Sequence, residues 1–300
     1  DDIEEMSYRE AVTCLDWSIG GDLLATGCKG GEAAVWKGSS KVATLEGHTY
    51  GISMIKFNGS GELVATADSY DPTCRIWKAA TGKLMRKVKC GSQIFSLVWT
   101  DNENIITGGS ARIQLWRLNQ RQAKASLKLE WKSSGVRSLV FQPHNKLLAS
   151  SSSQWEVILW KIDSPSAPLH TLTGHKSSVL EVKFSPSEAH ILATWDDSWK
   201  VRLWDALAGN CLHLFQCDKD GMSTFYWEEN NINFSPDGKL LACRGSEVKV
   251  FRVATGQLAA VCKVEGKKVV WNTGGNKLAV VTNNGDDQKD VGRNVLVFWI

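Results

Sequence analysis

Cys211, His213 and Cys217, in NCLHLFQC, come nearest to a metal site in residue type and spacing. On a strand, residues at even spacing share a face, so these three side chains line up on one side. Zinc takes four ligands in a closed structural site, and no fourth is evident, so no metal is expected. The remaining cysteines are Cys14, Cys28, Cys74, Cys90, Cys243 and Cys262. None of the eight forms a CxxC pair. Most lie in apolar runs such as VTCLDW and LLACRG, as small buried thiols of a reducing compartment. Carboxylates fall in turns, at Asp22, Glu62, Asp101 and Asp237, and the six histidines are scattered. Gly20-Gly21 and Gly274-Gly275 read as tight turns and not as a phosphate cradle. HExxH, P-loop, GxSxG and Rossmann glycine patterns are absent from the sequence. The reading is therefore a protein that is not an enzyme and takes no cofactor.

Residue types that bind other proteins are more evident. Tyr70, Trp155, Trp195 and Trp199 stand in loop positions, and aromatic side chains dominate binding hot spots. KLMRKVK places Lys83, Lys87 and Lys89 on one face of a strand, and KASLKLEW places Lys124 and Lys128 outward with Leu127 and Leu129 inward. That basic outer patch reads either as solvated edge protection or as a contact for an acidic partner. The formal net charge of +3 is too small to point to nucleic acid, so direct nucleic-acid binding is not expected. Neither a signal peptide nor a long apolar run is present, and no membrane partner is expected. The chain begins DDIEEMSY without an initiating Met, as a piece of a longer protein would.

The elements that must hold these residues form a repeat. A short apolar strand ends in an aromatic anchor at Trp36, Trp77, Trp116, Trp160, Trp204, Phe251 and Phe298, at spacings of 41, 39, 44, 44, 47 and 47. This is the period of a propeller blade. Ahead of the first five anchors stand VTCLDW, ISMIKF, IFSLVW, VRSLVF and VLEVKF. Each is followed by a polar turn and a second strand: DLLATG, ELVATA, NIITGG, KLLASS and HILATW. KLLACR and KLAVVT serve in repeats six and seven. A fourth strand follows each anchor, as in GKLMRKVKC, and no helical period competes. The fold class predicted is all-β, a single seven-bladed β-propeller over residues 1–300. An open sheet edge invites aggregation, and the chain stops at the third strand of repeat seven. The missing strand is expected from residues 3–8, closing the ring.

These repeats resemble the WD-repeat family over essentially the whole chain. Gly47-His48 and Gly174-His175 match the family's Gly-His, and Trp204-Asp205 its Trp-Asp. The resemblance implies a hydrogen-bonded set of His, Ser or Thr, Asp and Trp inside a blade. His48, Thr66, Asp71 and Trp77 match it. His175, Thr194 and Trp204 match in the fifth repeat, with Asp197 one residue out of register. The other five repeats lack most of the set and are expected to rely on packing of their anchors. The resemblance also implies a partner-binding mouth around a central channel. Its residues flank the first apolar residue of each inner strand: Thr13, Ser53, Phe95, Arg137, Leu180, Asn230 and Lys267. In repeat six the first apolar position falls on Glu229, so that strand is expected to be shifted or open to the channel.

Finer likeness lies in VTCLDWSIGGDLLATGCKGGEAAVW, in ATGKLMRKVK with VWTDNENIITGG, and in WNTGGNKLAVV. These look like the transducin-β-like subunits of histone deacetylase corepressor complexes. That likeness implies a nuclear scaffold with protein or peptide partners, among them corepressors and histone tails. The insertion NNGDDQKDVGRN departs from those subunits and is similar to the propeller subunit of the THO mRNA-export complex. A substrate receptor of a ubiquitin ligase is the third alternative.

Overall fold

The computed structural model describes residues 10–68, 70–110, 112–120, 125–130, 135–164, 167–217, 231–266, 268–283 and 293–300. Among them every regular element is a strand, and no helix is long and apolar enough to cross a membrane. The chain divides into two compact units, Asp1–Pro143 and His144–Ile300.

The first unit holds three complete four-stranded meanders. The first runs Val12–Trp17, Leu24–Cys28, Ala33–Lys37 and Ser40–Leu45. The second runs Ile52–Phe57, Leu63–Asp68, Thr73–Lys78 and Leu84–Lys89, and the third Ile94–Trp99, Asn104–Gly109, Arg112–Arg117 and Ala125–Glu130. Val136–Gln142 follows as the first strand of the fourth sheet. The second unit carries that sheet's Leu147–Ser152, Val157–Lys161 and His170–Leu172. The fifth sheet runs Val179–Phe184, Ile191–Asp196, Lys200–Asp205 and Asn210–Gln216, and the sixth Ile232–Phe234, Leu240–Cys243, Val248–Arg252 and Leu258–Cys262. The seventh has three strands, Lys268–Trp271, Lys277–Asn283 and Arg293–Trp299. Residues 3–8, expected as its fourth, lie outside the described residues, as do Glu229 and most of the NNGDDQKDVGRN insertion.

Burial follows position in the meander. Second strands such as Leu24–Cys28 and Ile191–Asp196 are buried at every residue. Fourth strands alternate: in Leu84–Lys89 only Val88 is buried. Between the second and third sheets, Ile76, Val88, Ile94, Leu97, Ile105 and Trp116 form one apolar layer. Phe215 stacks on Phe251 between the fifth and sixth, with ring centroids 4.3 Å apart. Facing sheets approach so closely that a Cβ on Gly108 would lie 2.8 Å from Val136 Cγ1, which is why glycine stands there.

The anchors do more than pack. Trp36, Trp77, Trp116, Trp160 and Trp204 each donate Nε1–H to a hydroxyl on the adjoining strand: Thr26, Thr66, Thr107, Ser150 and Thr194, at 2.8–2.9 Å. Strand register puts Cys243 and Val280 at the same place in the sixth and seventh sheets, whose anchors are Phe251 and Phe298. Donor and acceptor are lost together, so neither is buried unpaired. This corrects the expectation that five repeats rely on packing alone; the first, third and fourth keep the bond.

Candidate protein-interaction site

Four residues expected at the partner-binding mouth share one backbone device. The inner strands of the first, second, third and fifth sheets each shift register by one residue, and the extra residues are Thr13, Ser53, Phe95 and Leu180. A bulge leaves one residue out of the ladder and re-aims its side chain. Thr13 Oγ1 and Ser53 Oγ are exposed and donate to the carbonyls of Gly27 and Ala67 on the next strand. Phe95 and Leu180 have no hydroxyl and are half-buried. In the first unit, the ring edge of Phe95 lies close to Gly135, where a Cβ would be 3.3 Å away. Arg137, two residues on, is also half-buried. Asn230 and Lys267 lie outside the described residues.

The loop aromatics divide. Tyr70 is 74% exposed and meets Tyr50 edge-on, ring centroids 5.7 Å apart. Asp68, fully buried, fixes both loops by accepting the backbone N–H groups of Tyr50, Tyr70 and Asp71. Tyr50 was not singled out from the sequence, although it follows Gly47-His48 by two residues. Trp155 is 52% exposed. Trp195 and Trp199, expected among the partner-facing aromatics, are instead buried at 1% and 3%. Their rings meet edge-on at 5.2 Å, and the Arg244 guanidinium covers both, 5.2 and 5.3 Å from the centroids. Buried indoles cannot meet a partner, so these two belong to the core between the fifth and sixth sheets.

Lys87 and Lys89 stand exposed on the outer strand of the second sheet and Lys83 just before it, with Met85, the extra residue at a register shift, also exposed. Arg86 turns the other way and donates to Leu118 O at 3.2 Å. Lys124 lies outside the described residues, and Lys128 is described by its backbone alone, opposite Gln114.

Two histidine networks sit behind these loops. His48 Nε2 is 2.7 Å from Thr66 Oγ1, which also accepts from Trp77. Its Nδ1 faces Arg75 Nη1, and Arg75 Nη2 is 3.5 Å from Asp71 Oδ2. Asp71 therefore reaches His48 only through Arg75, which the expected set did not contain. Burial first, then the Arg75 charge, lowers the His48 pKa to about 4 against the opposing pull of Asp68 at 3.5 Å. In the fifth sheet His175 Nε2 is 2.7 Å from Thr194 Oγ1, but its Nδ1 is 2.6 Å from Asp196 Oδ2. The carboxylate in that network is Asp196, which corrects the reading of Asp197. Burial pushes the Asp196 carboxyl up, yet hydrogen bonds from His175, Ser198 and Lys200 hold it below the usual range. In the third sheet Cys90 stands four residues before the inner strand, as His48 does, and receives Thr107 Oγ1–H at 3.7 Å. Burial pushes that thiol up to about 11, which keeps it protonated and unreactive.

Cys211 is exposed and Cys217 buried, and the His213 ring stacks on Phe215. Among the described residues, no three His, Cys, Asp or Glu side chains converge as metal ligands.

Comparison with known proteins agrees with this architecture. The family described as WD domain, G-beta repeat, matches residues 6–37, 39–78, 124–161 and 166–205, half of the chain. Pre-mRNA-processing factor 19 homolog 2 of Arabidopsis thaliana is 25% identical over 82% of this chain and 46% of its own. The SIR4-interacting protein SIF2 of Saccharomyces cerevisiae is 25% identical over 68% of this chain and 40% of its own. Transcriptional corepressor LEUNIG_HOMOLOG of Arabidopsis thaliana is 24% identical over 67% of this chain and 25% of its own. The chain thus spans about half or less of the length of these relatives. The crystal structure of the C-terminal WD40 domain of Sif2 superposes with a TM-score of 0.78 at 22% identity, covering 92% of this chain and 81% of that one. Repeat period, strand order, indole–hydroxyl anchors and family match agree, and the chain belongs to the WD40 repeat family.

Proposed function

We propose that this WD40 protein is a non-catalytic interaction scaffold in a nuclear corepressor complex, in which the bulge residues of the first unit's successive sheets present a partner-binding face. The observation carrying this reading is the recurrent bulge at Thr13, Ser53, Phe95 and Leu180. Each bulge turns one side chain out of the ladder at the same place in an inner strand, where it is open to a partner. Phe95 and Arg137 form its centre, a rigid apolar surface beside a planar five-donor fork. They suit a peptide with an acidic or carbonyl-rich segment next to an apolar side chain, in a corepressor or a histone tail. The corepressor part of the proposal is supported by the name of one relative, a transcriptional corepressor.

Affinity capture from nuclear extract tests it. The double change Phe95→Ala and Arg137→Ala should weaken capture of the complex by about 2 kcal/mol or more, with the melting temperature nearly unchanged. Deacetylase and corepressor subunits among the captured proteins support the corepressor assignment. Export factors or cullin adaptors would replace it. Capture that survives this double change but is abolished at Lys83 and Lys87 would move the working surface to the outer strand.

A further inference from the structure

In the second unit, the hairpin turns of the fourth and fifth sheets both place a tryptophan five residues before the anchor: Trp155 before Trp160, and Trp199 before Trp204. Both have left-handed backbones, with φ of 70° and 64°. Gly31 holds the same place in the first sheet at φ 89°, with no penalty for a side chain. An L side chain at that angle carries strain. Trp199 is buried, with the Arg244 guanidinium 5.3 Å from its ring centroid. Trp155 occupies the same turn and is 52% exposed, held at a cost that burial does not offset.

Its surroundings suit a cation. Glu156 is the next residue and is exposed. Ser178 ties this turn to that of the fifth sheet: its Oγ donates to Ser153 O at 3.3 Å, and its carbonyl accepts Asp197 N–H at 2.9 Å. That brings Asp197 to the same end of the two sheets. An aromatic face attracts a guanidinium through its quadrupole, and neighbouring carboxylates add Coulomb attraction.

We infer that Trp155, with Glu156 and Asp197, is a docking site for an arginine side chain of a partner protein, supplied from outside as Arg244 is supplied to Trp199 from inside. This rests on the scaffold reading above and adds a second contact, of opposite charge preference to the one at Phe95 and Arg137.

The test uses the whole chain and a capped alanine pentapeptide carrying one central arginine, beside its citrulline counterpart, which keeps the shape and loses the charge. The indole N–H resonance of Trp155 is identified by its loss in Trp155→Gly, a change the left-handed backbone accepts. Arginine peptide should shift that resonance saturably and bind at least tenfold tighter than the citrulline peptide. The double variant Glu156→Gln and Asp197→Asn should lose that preference. Equal shifts from both peptides, no shift, or a preference that survives the double variant would overturn the inference. Arginine binding at Trp155 alongside capture unaffected by Phe95→Ala and Arg137→Ala would sink the earlier reading and leave this one standing. Capture lost in that variant with no arginine preference at Trp155 would do the reverse.

Discussion

The second and fifth sheets start from the same parts and wire them differently. Each has a buried histidine whose Nε2 meets a threonine hydroxyl that also takes the anchor's indole hydrogen. In each, strand register puts a buried aspartate at the end of the second strand, Asp68 opposite Ile52 and Asp196 opposite Val179. An arginine stands two residues before each anchor, Arg75 and Arg202. In the fifth sheet the aspartate takes the Nδ1 hydrogen of His175, and Arg202 reaches out to Gly174 O at 2.7 Å. In the second sheet Arg75 turns inward onto His48 Nδ1. A guanidinium only donates, so Nδ1 of His48 accepts and its hydrogen sits on Nε2. The two rings therefore use Nδ1 in opposite senses. The cause lies six residues before the anchor: Asp71 in the second sheet, Ser198 in the fifth. Asp71 holds the arginine in, and Ser198 has no charge with which to do so. On this account, one carboxylate in the turn separates a histidine that faces a guanidinium from one that faces a carboxylate.

The largest effect should come from Asp196→Ala. It strands the Nδ1 hydrogen of His175 and removes the acceptor for Ser198 Oγ and for the backbone N–H of Ser198 and Lys200, all at a fully buried carboxylate. A loss of about 3 kcal/mol is expected, read as a fall in the chemical-denaturation midpoint. Asp197→Ala, which leaves the His175 bond intact, should cost clearly less. Equal losses at the two positions would show that the fifth-sheet network is misassigned.

Acid should attack the second sheet before the fifth. The folded pKa of His48, about 4, lies below the unfolded value of about 6.5. The unfolded chain therefore takes up the proton first. The stability held by neutral His48 is complete above about pH 6.5 and is lost as pH falls toward about 4. Asp196, held below the ordinary carboxylate range, loses its contribution only at lower pH, as it protonates in the fold. Arg75→Met removes the cation facing His48 and leaves Asp68 at 3.5 Å. The His48 pKa should then rise, and the slope of stability against pH between about 4 and 6.5 should flatten, at a cost of about 2 kcal/mol from a buried site. A ring titration followed by NMR reads the first, and melts across that pH range read the second.

The meander and its period were legible because each anchor closes a strand at blade spacing, a signal that burial on both faces makes continuous in sequence. The bulge positions Thr13, Ser53, Phe95 and Leu180 were legible as places, since they follow the first apolar residue of each inner strand, but the bulge itself was not. Side-chain wiring was the illegible part. Motif register put the fifth-sheet carboxylate at Asp197, while the backbone of the turn turns Asp196 inward. Apolar spacing does not mark Arg75 as facing in and Arg202 as facing out, because both follow the same pattern and differ only in the turn residue four positions before, Asp71 against Ser198. Trp195 and Trp199 looked like loop aromatics until Arg244, more than forty residues later in the chain, was seen to cover them. The Thr or Ser beneath each Trp anchor was visible nine to eleven residues upstream and was read as general only with strand register in hand.

The sharpest test of the comparison is Asp71→Ser, which gives the second sheet the fifth sheet's residue at that place. Asp71 lies 3.5 Å from Arg75 and also accepts the Thr73 Oγ1 hydrogen at 2.6 Å, so the change should cost about 1 kcal/mol. The wiring should nevertheless change. Without Asp71, Arg75 is a buried cation beside a ring nitrogen, and turning outward relieves that, as Arg202 does toward Gly174 O. His48 is then free to bring Nδ1 from 3.5 Å onto Asp68, the contact His175 already makes with Asp196. The ring hydrogen moves from Nε2 to Nδ1, and the His48 pKa rises because the cation has left and the carboxylate has closed in. Ring nitrogen chemical shifts distinguish the two tautomers directly. A variant that loses about 1 kcal/mol yet keeps the hydrogen on Nε2 would show that Arg75 is held inward by packing in the second sheet, and that the turn carboxylate is not what separates the two networks.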